Sequence, residues 1–480
     1  MKVKSFFKLN EGVKASAVYT ISSFITKGIS IITIPIFTRI MSTDQIGIVT
    51  TYNSWVSILS VFACLGLTTG SFSVAMHEYK EERNQYESSA LTLTSLISLI
   101  FIILYLFAFN SINSFLGLPW QLVVLMLIGF LVYPATDFWM ARQRFEYKYK
   151  LCAVVSVLSA VLSSLLAVFV VLIFNHFGYS EIAIGRLYAT YIVYDVVALV
   201  LYVYILHQGK VFVDLNYWKF GISLSIPLMV HALAKHVLDV SDKIMIQSIC
   251  GNSQVGIYGT LYSLSSLSLI FWTAINVSLV PYMFTCMDNK EDARDRLNKI
   301  IFPVMLIYGI IAILMAFVSP EIVRVIATKE YYEAIYMMPP VAAGIYFTSL
   351  NSIMGNVLLY NKKTKHIMFA TIIAAALNVV LNFVFISIFG YMAAAYTTLF
   401  CNVVLAVAQY IMAKRVHGEL PFDSKNIWLL SVAVSIIVLS CNVFYRYTII
   451  RYFIILILCI VLLIKRKTLI GILGQVLKRS

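Results

Sequence analysis

Few ionisable residues interrupt the long apolar stretches of this 480-residue chain, and those few are concentrated. Lys27 lies in a stretch from Ala15 to Thr38 with no carboxylate within a turn of it, only Ser23, Thr26 and Ser30. A second stretch holds His231, Lys235, His236, Asp239, Asp242 and Lys243. His231, Lys235, Asp239 and Asp242 follow one another at i, i+4, i+8 and i+11, which aligns them along one stripe of a helix. Asp137 and Asp195 occur singly in two further stretches, and Arg39 closes the first. An ionisable group in a membrane helix costs a few kcal/mol or more, so each of these marks a cavity, a partner or a function. The chemistry they offer is electrostatic. A plainer reading stands beside it: Lys235 with Asp239, and Asp239 with Lys243, form intrahelical ion pairs that neutralise one another. Asp137 and Asp195 are placed near cytoplasmic ends, where they reach water, and Arg39 snorkels or caps at the outer interface.

The elements that must carry these residues follow from composition. The chain is 61% hydrophobic and 12% charged with a mean hydropathy of +0.88, against about 25% charged for a globular protein. Apolar runs of about 18 residues or more, each long enough to cross a bilayer, recur from Ala15 to Ile464. A soluble enzyme and a nucleic-acid-binding module are thereby excluded. The net charge of +14 sits in short gaps between apolar runs and reports orientation. The spans are expected at 15–38, 46–76, 88–109, 120–140, 151–175, 182–206, 219–248, 255–283, 296–318, 332–360, 367–388, 392–413, 426–444 and 449–464, about fourteen in all, with about twelve as a minimum. Arg142, Arg144, Lys148 and Lys150, then Lys362, Lys363 and Lys365, then Lys465, Arg466 and Lys467 all fall on the side of the amino terminus, which predicts that both termini are cytoplasmic. The outer loops are short, the longest near Ser319 to Tyr331, so function must be built from the helices. The first span, preceded by Lys2, Lys4, Lys8 and Lys14, is longer than a secretory h-region and is expected to remain. The seven cysteines show no metal or redox spacing.

Gln45-Ile46-Gly47-Ile48 returns 209 residues later as Gln254-Val255-Gly256-Ile257, and the same offset sets Lys27 against His236, beside Lys235. The expected architecture is an all-α polytopic membrane protein with two six-helix lobes, 1–206 and 219–414. A cytoplasmic linker, 207–218, joins them, and 415–480 adds two more helices and a basic tail. An even number of spans per lobe relates the lobes by a pseudo-two-fold along the membrane normal, and such repeats favour alternating access with the stripe facing the space between them. Prolines 35, 134, 227, 281, 303, 339 and 340 fall within the spans and invite kinks. No phosphate-binding loop, D-x-D pair, G-x-S-x-G or H-E-x-x-H motif is present. A transporter is what remains.

The segment from Lys27 to Gly47, KGISIITIPIFTRIMSTDQIG, resembles the amino-terminal signature of the Wzx-type O-antigen and capsule flippases, within the multidrug/oligosaccharidyl-lipid/polysaccharide exporter superfamily. The resemblance implies a multi-pass protein of the bacterial inner membrane that serves lipopolysaccharide or capsule assembly. Its substrate would be an undecaprenyl-diphosphate-linked oligosaccharide, moved from the cytoplasmic to the periplasmic leaflet, with room for other polysaccharide assembly proteins as partners and none for nucleic acid. A diphosphate in a low-dielectric cavity needs fixed cations, and Lys27, Lys235, His231 and His236 are the candidates. Asp239 and Asp242, with Lys243, would hold those cations or bind a coupling proton or sodium ion; no other cofactor, metal or catalytic residue is expected. Arg39, Asp137 and Asp195 complete the candidates. A multidrug and toxin extrusion antiporter of the same fold is the alternative, although it would want unpaired carboxylates where Lys27 stands. A third reading is a scaffold for glycan enzymes.

Overall fold

A computed structural model describes residues 11–68, 71–289, 292–460 and 463–464. The described residues are helical or in turns, and thirteen helices among them are long and apolar enough to cross a membrane. The molecule is an all-α polytopic membrane protein. The lysines expected before residue 10, the basic tail at 465–467 and the end of the fourteenth span lie outside the described residues.

In chain order the helices are α1 (Glu11–Ile40), α2 (Thr43–Ala63), α3 (Phe72–Glu78), α4 (Arg83–Phe107), α5 (Phe109–Leu116), α6 (Trp120–Phe145), α7 (Tyr149–His176), α8 (Ile182–Gly209), α9 (Leu215–Cys250), α10 (Asn252–Ser265), α11 (Ser268–Asp288), α12 (Ala293–Ile326), α13 (Met338–Tyr360), α14 (Thr364–Phe389), α15 (Ala393–His417) and α16 (Ser424–Phe444). A shorter apolar helix, α17, covers Thr448–Ile460. They cluster into two compact units, Met1–Gly256 and Ile257–Ser480, so α9 packs with the helices before it.

Local chemistry explains several boundaries. Ser42 caps α2 in a reciprocal box: its hydroxyl accepts from the Gln45 amide at 3.3 Å, and its own amide donates to Gln45 Oε1 at 3.3 Å. The second span is shorter than 46–76, because Leu65 and Gly66 take left-handed backbone angles that end α2; the chain then turns into the short α3. The eighth span is broken at Ser266–Leu267 into α10 and α11. Around 319–331 the expected loop is mostly helix: α12 runs through Pro320 to Ile326, and Tyr331 is fully buried. Pro339 and Pro340 do not kink a span but open α13 at its first turn, where missing amide donors cost nothing.

In the first unit, α6 packs against α4 and α8, and α9 runs along α2. Leu67, Phe72, Tyr86, Phe138, Trp139 and Ile205 form its core. In the second, α13 is buried almost throughout against α12, α15 and α16. Lipid is as apolar as leucine, so close van der Waals packing through small residues must supply the association. Ala342, Ala343 and Gly344 of α13 and Ala394 and Ala395 of α15 are correspondingly buried.

Candidate functional site

Lys27 lies near the middle of α1, a helix that packs by one face on α7 and leaves Ile21, Ile25 and Ile32 exposed. Its side chain is exposed too, and among the described residues it has no carboxylate partner. The hydroxyls around it are committed to their own helix: Thr26 donates to Ser23 O at 3.1 Å, Ser30 to Thr26 O at 3.2 Å and Thr33 to Ser30 O at 2.9 Å. Those hydroxyls donate to backbone carbonyls and not to a ligand beside Lys27.

On α9 the stripe divides. Lys235 and Asp239 are exposed, His231 and His236 are half-buried, and Asp242 and Lys243 are buried. Lys243 Nζ lies 3.3 Å from Asp242 Oδ1 and donates to the Asp239 carbonyl at 2.9 Å. Lys243 thus pairs with the adjacent carboxylate and reaches the backbone, not the side chain, of the residue one turn before it. His231 Nδ1 is buried without a hydrogen-bond partner.

Asp137 is exposed on α6, eight residues before its end. Asp195 is midway along α8, about 20 Å from either end at 1.5 Å per residue. It is therefore not within a few residues of either end of its span, contrary to the expectation from the sequence. Arg39 is exposed at the end of α1 and is engaged by other groups.

Several arrangements were not visible in the sequence. At the basic end of the first unit, buried Glu87 meets Arg142 at 2.7 Å; Arg142 also donates to Asn84 at 2.6 Å and to Glu146 at 3.1 Å, and Lys148 reaches Glu146 at 2.6 Å. In the second unit Arg451, 1% exposed, pairs with Glu321, while the Tyr452 hydroxyl donates to the same carboxylate at 2.9 Å. Asn378, Asn382, Thr397 and Thr398 form a buried amide–hydroxyl chain between α14 and α15. Beside it, Leu381, Phe385, Phe389, Tyr396 and Phe400 line an apolar groove of about 510 Å³. Hydrocarbon suits that groove; a diphosphate does not. Among the described residues no cluster of His, Cys, Asp or Glu could hold a metal ion.

The two copies of the repeated tetrapeptide meet. A Cβ on Gly47 would lie 1.9 Å from the Asn252 carbonyl oxygen, and one on Gly256 would lie 2.1 Å from that of Thr43. Asn252 and Thr43 are themselves 209 residues apart, so the contact is reciprocal. Thr43 Oγ1 and Ser253 Oγ close it at 2.7 Å.

Helices of this number and length, with lysine and carboxylate side chains held at mid-span, define a multi-pass membrane protein. The polysaccharide biosynthesis protein family matches residues 13–287, more than half of the sequence, and the chain belongs to that family. The MatE family matches residues 227–384. Among curated proteins none matches the sequence. Solved structures share the fold: the lipid II flippase MurJ in an inward closed conformation has a TM-score of 0.70 at 15% identity, covering 94% of this chain and 100% of its own. An inward-facing multidrug resistance MATE family transporter of the MOP superfamily has a TM-score of 0.62 at 13% identity, covering 84% and 98%. The Vibrio cholerae MATE transporter VcmN, in a mutant form, has a TM-score of 0.55 at 14% identity, covering 87% and 98%.

Proposed function

We propose that this protein is a flippase that moves an undecaprenyl-diphosphate-linked oligosaccharide, an O-antigen or capsule repeat unit, from the cytoplasmic to the periplasmic leaflet by alternating access, with both termini cytoplasmic. The observation that carries this reading is the pair of exposed mid-span lysines, Lys27 and Lys235, neither ion-paired among the described residues. A fixed ammonium at that depth costs energy unless it meets water or an anion, and a diphosphate is an anion that such a carrier must shield. His231 and His236 lie within a turn of Lys235 and add donors. Asp239, exposed and four residues on, shares the stripe of α9 with Lys235. The buried Asp242–Lys243 pair serves the packing of α9. Family membership and the fold shared with a lipid II flippase support the class of substrate; the glycan itself has no linear motif in this chain.

The MatE match over residues 227–384 favours a second reading, an antiporter for organic cations. Translocation in oriented proteoliposomes separates the two. A polyprenyl-diphosphate oligosaccharide is expected to cross with the parent protein and to stop crossing with Lys27→Ala, while a cationic dye stays put. Dye export without glycan movement would overturn the flippase reading and leave the antiporter.

A further inference from the structure

A carboxyl group at mid-membrane needs a partner, and among the described residues Asp195 has no charged one. Its Oδ1 is buried without a hydrogen bond, and so is the hydroxyl of Tyr133, which lies against the same carboxyl from the middle of α6. Tyr191, one turn before Asp195, packs edge-on against Tyr52 of α2 with ring centroids 5.2 Å apart, and lies 6.1 Å from Tyr133. Its hydroxyl donates to Asn53 Oδ1 at 2.8 Å, and Asn53 is exposed, which opens the cluster on one side.

The titratable groups around Asp195 are phenols: Tyr133 from α6, Tyr52 from α2, and Tyr191 from α8 itself. The other helices packed on α8 offer hydroxyls, Ser163 of α7 to Tyr194 and Ser95 of α4 to Tyr202. Arg186, the cation on α8, is turned away, its guanidinium 3.6 Å from the centre of the Phe37 ring. Among the described residues no lysine, arginine or histidine pairs with Asp195. The surroundings are thus oxygen-rich, neutral and without a counter-charge.

An unpaired carboxylate in such a place is costly, and a small cation removes the cost. A proton makes Asp195 a neutral acid, which removes the uncompensated charge while Tyr133 stays within reach of the carboxyl as its hydrogen-bond partner. A sodium ion would take the carboxylate with the Asn53 amide and tyrosine hydroxyl oxygens, the hard ligands such an ion prefers. We propose that Asp195, with Tyr133 and the Tyr191–Asn53 pair, forms a monovalent-cation site within the first unit. Resting on the flippase reading, this site, rather than the carboxylates of α9, takes up the coupling ion.

The site is tested first without any substrate. The infrared band of a protonated carboxyl is followed in purified full-length protein in nanodiscs, in sodium-free choline chloride, from about pH 5 to about pH 9. A band that titrates in the parent, vanishes in Asp195→Asn and remains with a shifted midpoint in Tyr133→Phe is the expected result. Repeating the scan with sodium chloride at equal ionic strength separates the ligands: a band weakened by sodium alone identifies sodium as an occupant, and an unchanged band identifies the proton. Absence of any Asp195-dependent band, in acid and without sodium, overturns the site. Coupling is read separately in proteoliposomes, where the parent is expected to move lipid-linked glycan faster under an imposed ion gradient and Asp195→Asn to lose that response. A retained response in Asp195→Asn overturns the coupling assignment. If the parent moves no glycan at all, the flippase reading fails while the infrared result still decides the site.

Discussion

Gly47 and Gly256 occupy each other's approach: the backbone of α10 fills the space where a Gly47 side chain would be, and the backbone of α2 fills the corresponding space at Gly256. Side-chain packing cannot bring two helices this near, so only glycine serves at both places. A methyl group on either would have to displace a carbonyl oxygen, at a cost of about 1–3 kcal/mol for overpacking. Gly47→Ala and Gly256→Ala are each expected to lower thermal stability in detergent. A disulfide between Thr43→Cys and Ser253→Cys, whose parent hydroxyls are 2.7 Å apart, should form readily in the parent background and poorly with Gly47→Val. Equal cross-linking in both would refute the contact.

Lys27→Ala is expected to abolish glycan export while leaving the protein inserted, because removal of an unpaired, exposed ammonium disturbs no internal bond. Lys27→Arg retains the charge and should keep part of the activity, within about tenfold, or ~1.4 kcal/mol. Surface glycan at native expression is the readout, with immunodetection of the membrane fraction as control. Normal glycan in the alanine variant would sink the assignment.

The charges of α9 should divide by location. Asp242→Ala removes the carboxylate beside buried Lys243, which costs up to about 3–5 kcal/mol when one partner of a buried pair is removed, and should reduce the amount of folded protein. Asp242→Asn combined with Lys243→Gln is expected to recover much of that loss. Asp239→Asn, at an exposed carboxylate, should leave folding intact and weaken transport less than Lys235→Ala does. The reverse ranking of the last two would give Asp239 an ion-coupling role.

Glu146, just past the end of α6, gives a pH prediction. Burial pushes its carboxyl upward, but hydrogen bonds from Lys148 and Arg142 and the charges of both outweigh burial, so its pKa lies below the usual glutamate value. A lowered folded-state pKa contributes stability that is present above the unfolded value and is lost as pH falls through the folded one. Glu146→Gln should therefore destabilise the protein near neutral pH, and the difference from the parent should begin to shrink only as pH falls below the usual glutamate value of about 4.3, vanishing once the solution is more acidic than the lowered folded-state value. Melting temperatures across a pH series check this; a difference that persists in acid would argue against the ionic origin.

Hydrophobic run length made the membrane class and most spans readable, since lipid forces every backbone polar group into a helix and only apolar side chains extend it cheaply. Backbone features were less visible. Leu65 and Gly66 end α2 through left-handed angles that no apolar count reveals, and α12 continues through Pro320, whose unpaired i−4 carbonyl, that of Ala316, accepts from the Tyr445 hydroxyl at 2.6 Å. Lys27 is isolated in the sequence, and among the described residues it is exposed and not ion-paired. The Asp242–Lys243 pair was not foreseen, because i,i+4 reasoning looks past adjacent residues. Asp195 stood out as a lone carboxylate, yet its tyrosines come from α2, α6 and α8. Only an excess of tyrosine at mid-span, instead of at span ends, could have pointed to them.

The seat of Gly47 has a consequence for how the protein is made. The carbonyl that completes it belongs to Asn252, which leaves the ribosome some 200 residues after Gly47 itself. During synthesis α2 must wait in the bilayer with that surface unfilled while the long helices from α4 to α9 are threaded beside it. Quality control during membrane insertion therefore has a defined interval in which to act, and a nascent chain arrested shortly before Gly256 should be the form most readily captured by a membrane protease.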